Sequence, residues 1–229
     1  MSVRVAGIVV FALGLTALLG YLQVAAKGPF ANAESRHLRA MKERVVPPDT
    51  LAPVTHADFA AMPAGLPLER YAPMERHGVT IEGYVQKMFY SPDGDLHLEI
   101  TPGERRPGSR DTVYVTAEIT LPMRHRHEGW TYATLYAAFR PDLGVGPRPH
   151  AAPRRVRLGG WLTYDFQYDG LRRPADPARM LWNRFGLSRP YRPHGAISIW
   201  PRLSGWEVHP VTRIEVWDDA RGGFGEVRP

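Results

Sequence analysis

Val5 to Ala26 runs 22 residues without a charge, and only Thr16 and Gln23 in it are distinctly polar. At 1.5 Å per residue a helix of that length spans roughly 30 Å, the hydrocarbon thickness of a bilayer. A buried core helix this long would carry a polar stripe, and this run has none. It reads as an N-terminal transmembrane anchor or export signal. Val24-Ala25-Ala26 and Ala31-Asn32-Ala33 offer small residues to a signal peptidase. The apolar run is longer than a usual signal core and the second site lies far from it, so an uncleaved single-pass anchor is favoured.

Orientation signals conflict. Arg4 precedes the run, whereas Lys27, Arg36, Arg39, Lys42 and Arg44 follow it. Counted literally, those charges keep the body in the cytoplasm. A very short leading tail followed by a large domain is the usual layout of an exported protein. The expectation is a membrane protein held by residues 5–26 with an extracytoplasmic, periplasmic body.

The chain as a whole has the composition of a folded protein: across 229 residues, 44% are hydrophobic and 23% charged, which excludes wholesale disorder. The absence of cysteine excludes a disulfide scaffold, a thiolate metal site and a Cys nucleophile. Formal net charge is +6, carried by 26 Arg against three Lys. With 22 Gly and 22 Pro, the arginine bias reflects genome composition as much as an anionic partner.

Asn32 to Val46 reads as a solvated juxtamembrane helix, stopped by Pro47-Pro48. Thr50 to Pro73 is a proline-rich lead-in, with one helical turn expected near Ala57 to Ala61 and packing on the domain edge. The expected division is an anchor (1–26), a helix and lead-in (27–73), a barrel domain (74–217) and a flexible tail (218–229).

From Val79 the hydrophobic period becomes two. Val79, Ile81, Gly83, Val85 and Phe89 face one way, opposite Thr80, Glu82, Tyr84, Gln86 and Met88, with Lys87 breaking the apolar set. After the turn Ser91-Pro92-Asp93-Gly94, Leu96, Leu98 and Ile100 alternate with Asp95, His97 and Glu99. A third strand runs from Thr112 to Leu121. Trp130 to Phe139 then reads as one short helix. Val156 to Phe166 and Trp206 to Trp217 are the last strands, and Gly159-Gly160 marks a bend. In the final strand Trp206, Val208, Pro210, Thr212, Ile214 and Val216 form the inward set. Pro210 there requires an edge or a bulge.

Three strands, a helix and two strands give a mainly β chain: a five-stranded OB-like Greek-key barrel with one short helix, preceded by a transmembrane helix. The pieces HGVTIEGYV, DGDLHLEI, VYVTAEIT, VRLGGWLTYD and WEVHPVTRIEV resemble a group of exported bacterial OB-fold proteins that often end in a Trp-Glu-Ile-His-Pro-Val-Thr-type segment. The likeness covers Val79 to Val216. It implies the fold and export, and no reaction.

In such a barrel the second strand neighbours the third and the third neighbours the fifth. Their outward residues, Asp95, His97, Glu99, Glu118, Glu207 and His209, then lie side by side, because strand period is two. His97, Glu99, Glu118 and His209 are candidate ligands of a divalent metal. The bland alternative is a wet polar face. Tyr84, Trp161, Glu207 and His209 are candidate ligand-binding residues. His125 and His127 read as solvated loop residues.

Three function classes follow. The leading one is a membrane-anchored binding or interaction module, with a protein among its candidate partners and no required cofactor. A divalent-metal protein or nuclease-like hydrolase on the acidic face is the second. A single-strand nucleic-acid or polyanion binder is the third. It is disfavoured because Glu82, Asp95, Glu99 and Glu118 repel phosphate. No nucleophile elbow, P-loop or zincin motif marks an enzyme.

Overall fold

The computed structural model describes residues 11, 13–15, 32–91, 93–104, 114–141, 143–144, 152–166, 168 and 202–227. The chain divides into two units, Met1–Ala40 and Met41–Pro229. In the first, residues 11 and 13–15 are helical, and a helix spans Ala33–Lys42, ending just inside the second unit. Asn32 starts that helix, its Oδ1 accepting from the Ser35 amide at 2.8 Å. Apart from residues 11 and 13–15, the run 5–26 lies outside the described residues. Among the described residues no helix is long and apolar enough to cross a membrane.

The second unit is built on β-strands: β1 (Ala52–Val54), β2 (Gly78–Tyr90), β3 (Leu96–Thr101), β4 (Tyr114–Ile119), β5 (Leu143–Gly144), β6 (Arg155–Tyr164), β7 (Arg202–Asp218) and β8 (Gly223–Glu226). Five of them close a ring, in the order β2-β3-β4-β7-β6 and back to β2. All its contacts are antiparallel except β4 with β7, which run parallel. Its interior holds Val79, Ile81, Val85, Leu98, Ile100, Val115, Ala117, Leu158, Leu162, Val208 and Ile214. Period-two alternation sends these side chains to one face, where burying apolar area is the main favourable term.

Two phase changes depart from simple alternation. In β2, Val85 opposes Ile100 but Lys87 opposes Glu99, so Gln86 is an extra residue. Beyond this bulge the faces exchange. Met88 therefore enters the core and Phe89 faces outward, the reverse of the sequence expectation. In β7, Val208 opposes Leu162 and Val211 opposes Gly160, so His209 and Pro210 share one position across the ladder. Val211 rather than Pro210 then joins the core, and a second shift before Arg213 restores the phase for Ile214 and Val216. A Cβ on Gly160 would run into the Pro210 carbonyl oxygen, which is why glycine stands opposite the bulge.

Two helices, not one, bridge β4 and β6: Leu121–Arg126 and Tyr132–Phe139. The first was expected to be strand end and solvated loop. Thr120 caps it, Pro122 sits in its first turn, and Met123 is buried beneath it. Thr131 caps the second, whose Leu135 and Phe139 pack into the core.

The lead-in does more than border the ring. β1 pairs parallel with β2, the helix His56–Ala61 buries Phe59, and the helix Leu68–Tyr71 buries Tyr71. Glu75, in a 3-10 turn, accepts from the Tyr164 amide at 2.8 Å. The expected tail 218–229 likewise contributes: Gly223–Glu226 turns back and pairs with the end of β7.

Candidate functional site

The outer face of β3, β4 and β7 carries the chemistry. His97 on β3 lies opposite Glu118 on β4, and Thr116 on β4 lies opposite Glu207 on β7. Glu118 and His209 each lie two residues further along, so parallel strands carry them to the same level. The bulge at His209-Pro210 turns the His209 ring toward them.

These groups meet. Nδ1 of His97 lies 2.8 Å from Glu118 Oε1. Nδ1 of His209 lies 3.1 Å from Glu207 Oε1 and 3.3 Å from Glu118 Oε2. Nε2 of His209 lies 3.5 Å from Asp95 Oδ2, and the Leu121 amide donates to Asp95 Oδ1 at 2.9 Å. The alternative of a wet polar face is corrected. Glu207 and His209 have no exposed surface, Glu118 is 5% exposed and His97 7%.

Three groups that the sequence reading did not connect complete the cluster. Arg202 Nη2 donates to Glu207 Oε2 at 2.7 Å, while its guanidinium stacks over Tyr168. Lys42 Nζ donates to Asp165 Oδ2 at 2.9 Å and lies 3.6 Å from Glu207 Oε1. Lys42 ends the helix Ala33–Lys42, Asp165 follows β6, and Arg202 opens β7. No local period links them, so only the three-dimensional path of the chain brings them together.

The charges are strongly coupled. Burial disfavours ionisation of Glu207, but Lys42, Arg202 and the His209 hydrogen bond outweigh it and hold the carboxyl down to about 2. Burial also opposes the Glu118 carboxylate, yet His209, His97 and Lys42 keep it well below the ordinary range. For His209, burial works against the imidazolium, and Glu118, Asp95 and Glu207 overcome that and Lys42 to push it up to about 9.

The four acids have unequal partners. Glu207 and Asp165 are matched by Arg202 and Lys42. Among the described residues, no lysine or arginine lies within ion-pair distance of Asp95 or Glu118, which meet imidazoles instead. One donor atom from each of Asp95, Glu118 and His209 falls within 4.8 Å of the others.

The remaining candidates lie elsewhere. Glu99 pairs with Lys87 at 3.6 Å, both buried, on the β2 side of the face. Trp161 is occupied by the segment after the helix Ala33–Lys42: its Nε1 donates to the Val46 carbonyl at 2.8 Å and Arg44 covers its ring. Tyr84 sits at the far end of the β2–β6 ladder, opposite Arg155, whereas Trp161 opposes Gly78. His127 stacks on Trp130. The arginine- and aromatic-rich stretch 167–201 lies outside the described residues except for Tyr168.

No protein-family model matches this chain, and no curated protein matches it.

Proposed function

We propose that the chain is a membrane-anchored, extracytoplasmic binding module whose body is an OB-like barrel and whose ligand seat is the buried cluster around His209. The uncharged run Val5 to Ala26 supports the anchor. The ring order β2-β3-β4-β7-β6, with its parallel β4–β7 contact and helices between β4 and β6, supports the OB-like topology. The exported group that the strands resemble fits both.

The observation that carries the binding reading is the pair Asp95 and Glu118, gathered on histidines with no lysine or arginine at ion-pair distance among the described residues. Burying ions costs several kcal/mol each, and apolar residues of the same volume serve stability as well or better. A cluster of this charge is therefore better accounted for by what it holds. A polyanion is the weaker reading, because carboxylates dominate this face.

Two measurements test the proposal. A reporter fused after Pro229 should be active outside the cytoplasm, and cytoplasmic activity alone would reject the topology. Small charged ligands, inorganic cations and organic amines among them, should include one that raises the melting temperature of the detergent-purified full chain. That rise should vanish in Glu118→Gln. A panel without any stabilising ligand would reject the seat.

A further inference from the structure

We infer that Asp95, Glu118 and His209 hold one divalent transition-metal cation, bound through His209 Nε2 and one oxygen of each carboxylate. This rests on the reading of the cluster as a ligand seat and is independent of membrane topology.

The first support is an unsatisfied nitrogen. His209 is fully buried, and its Nε2 has no hydrogen-bond partner among the described residues. A buried polar atom without a partner normally costs a full desolvation penalty. This one is aimed at Asp95, at 3.5 Å, which is too long for a good hydrogen bond. It does match a shared ion. Bonds of about 2.1 Å in a tetrahedral shell place ligand atoms about 3.4 Å apart.

The second support is the other side of the ring. Nδ1 of His209 lies 3.1 Å from the carboxylate of Glu207, which is not one of the three ligands, and 3.3 Å from Glu118 Oε2, the oxygen left for the ion while His97 holds Oε1. An Nδ1–H donated to Glu207 leaves the Nε2 lone pair free toward Asp95. A carboxylate behind a ligating imidazole is the usual way a protein fixes tautomer and ring orientation. His97 serves Glu118 in the same manner, holding Oε1 at 2.8 Å. The Leu121 amide holds Asp95 Oδ1 and so leaves Oδ2 toward His209.

The donor set selects the ion class. One imidazole nitrogen and two carboxylates suit zinc, manganese or ferrous iron. Calcium and magnesium favour all-oxygen shells, and a soft monovalent ion needs sulfur, which a chain without cysteine does not offer in this cluster. Lys42 and Arg202 are committed to Asp165 and Glu207, on the far side of the imidazole. Asp95, with its side chain 13% exposed, is the member nearest solvent and gives the ion a way in.

The test uses the full chain in detergent, stripped with a chelator and dialysed against Mn²⁺, Co²⁺ or Zn²⁺. The expected result is one ion per chain by elemental analysis, with Co²⁺ giving visible bands of a low-coordinate site. Asp95→Asn is the key variant, since Asp95 is the least buried ligand and the change is isosteric. It should keep its circular dichroism spectrum and lose at least about tenfold in affinity, while His125→Ala leaves binding unchanged. Stoichiometric binding absent from the wild type would overturn the inference, as would an affinity unchanged in folded Asp95→Asn. An organic amine that stabilises the wild type where all three metals fail would overturn the metal and keep the ligand seat.

Discussion

Glu207 and His209 stand two residues apart on β7, both without exposed surface, with the histidine Nδ1 3.1 Å from the carboxylate. In a strand this spacing puts both side chains on one face, and the ring makes that face the outer one. Their burial turns a solvated-looking sequence pair into the centre of an ion cluster, and mutations around it should behave as in a core.

Arg202 makes the shortest ion pair to that centre, 2.7 Å to Glu207, with 8% of its side chain exposed. Arg202→Met leaves Glu207 buried with one cation fewer. The expected loss is about 3–5 kcal/mol in urea unfolding, the range for breaking a buried pair from one side. Arg202→Met with Glu207→Gln should recover part of it. A single variant as stable as the parent would mean that the pair carries no net energy.

Trp206 faces the opposite way, into the core beside Tyr164, with its Nε1 donating to the Pro63 carbonyl at 2.8 Å. Trp206→Ala should cost about 3–5 kcal/mol, and Trp206→Phe less, since it keeps most of the ring packing. Thermal melts of both compare packing with the lost hydrogen bond. Parent-like melting of the alanine variant would contradict the register of β7.

Gly160 tests the bulge. Its added Cβ would meet the Pro210 carbonyl oxygen and lie 3.0 Å from Val208 Cγ1, whereas a Cβ on Gly103 meets nothing within 4 Å. Gly160→Ala should cost about 1–3 kcal/mol, the range for overpacking, and Gly103→Ala close to nothing. Because the displaced carbonyl follows His209 directly, Gly160→Ala should also weaken any ligand held by that ring. Equal stability of the two variants by chemical denaturation would contradict the close approach.

Much of this was legible in the sequence, for a physical reason. Alternation exposes which side chains share a face, so β3 and the pair Trp206 and Val208 could be read residue by residue, and Glu118, Glu207 and His209 could be put on one surface. A bulge has no period. Gln86 looks like its neighbours, yet it exchanges the roles of Met88 and Phe89, and the doubled position at His209-Pro210 moves Val211 inward. Short paired segments such as Ala52–Val54 carry too few residues to show alternation at all. Lys42, Asp165 and Arg202 lie in segments of different pattern, and their convergence is a property of the closed ring. Burial of the outer face was illegible too, because hydrophilic composition predicts exposure only where no counter-charges wait.

The coupled charges set a pH profile for the metal-free protein, measured with chelator present. His209 is pushed up to about 9: burial opposes its charge, but Glu118, Asp95 and Glu207 prevail over burial and over Lys42. A group raised on folding contributes fully below its unfolded value of about 6.5 and loses that contribution as pH climbs through its folded value. Stability should therefore fall between about 6.5 and about 9. Glu207, held down to about 2 by Lys42 and Arg202 against the cost of burial, and Glu118, held well below normal, act in the other direction. Their contribution is complete above about 4.5 and is lost as pH falls toward 2. The melting temperature should be highest between about 4.5 and 6.5 and decline on both sides. Glu118→Gln removes the main support of the imidazolium, so it should lower the plateau and flatten the alkaline decline. A wild-type profile flat from pH 6 to 9 would mean that folding leaves His209 at its ordinary value, so that the surrounding carboxylates give its imidazolium no net support.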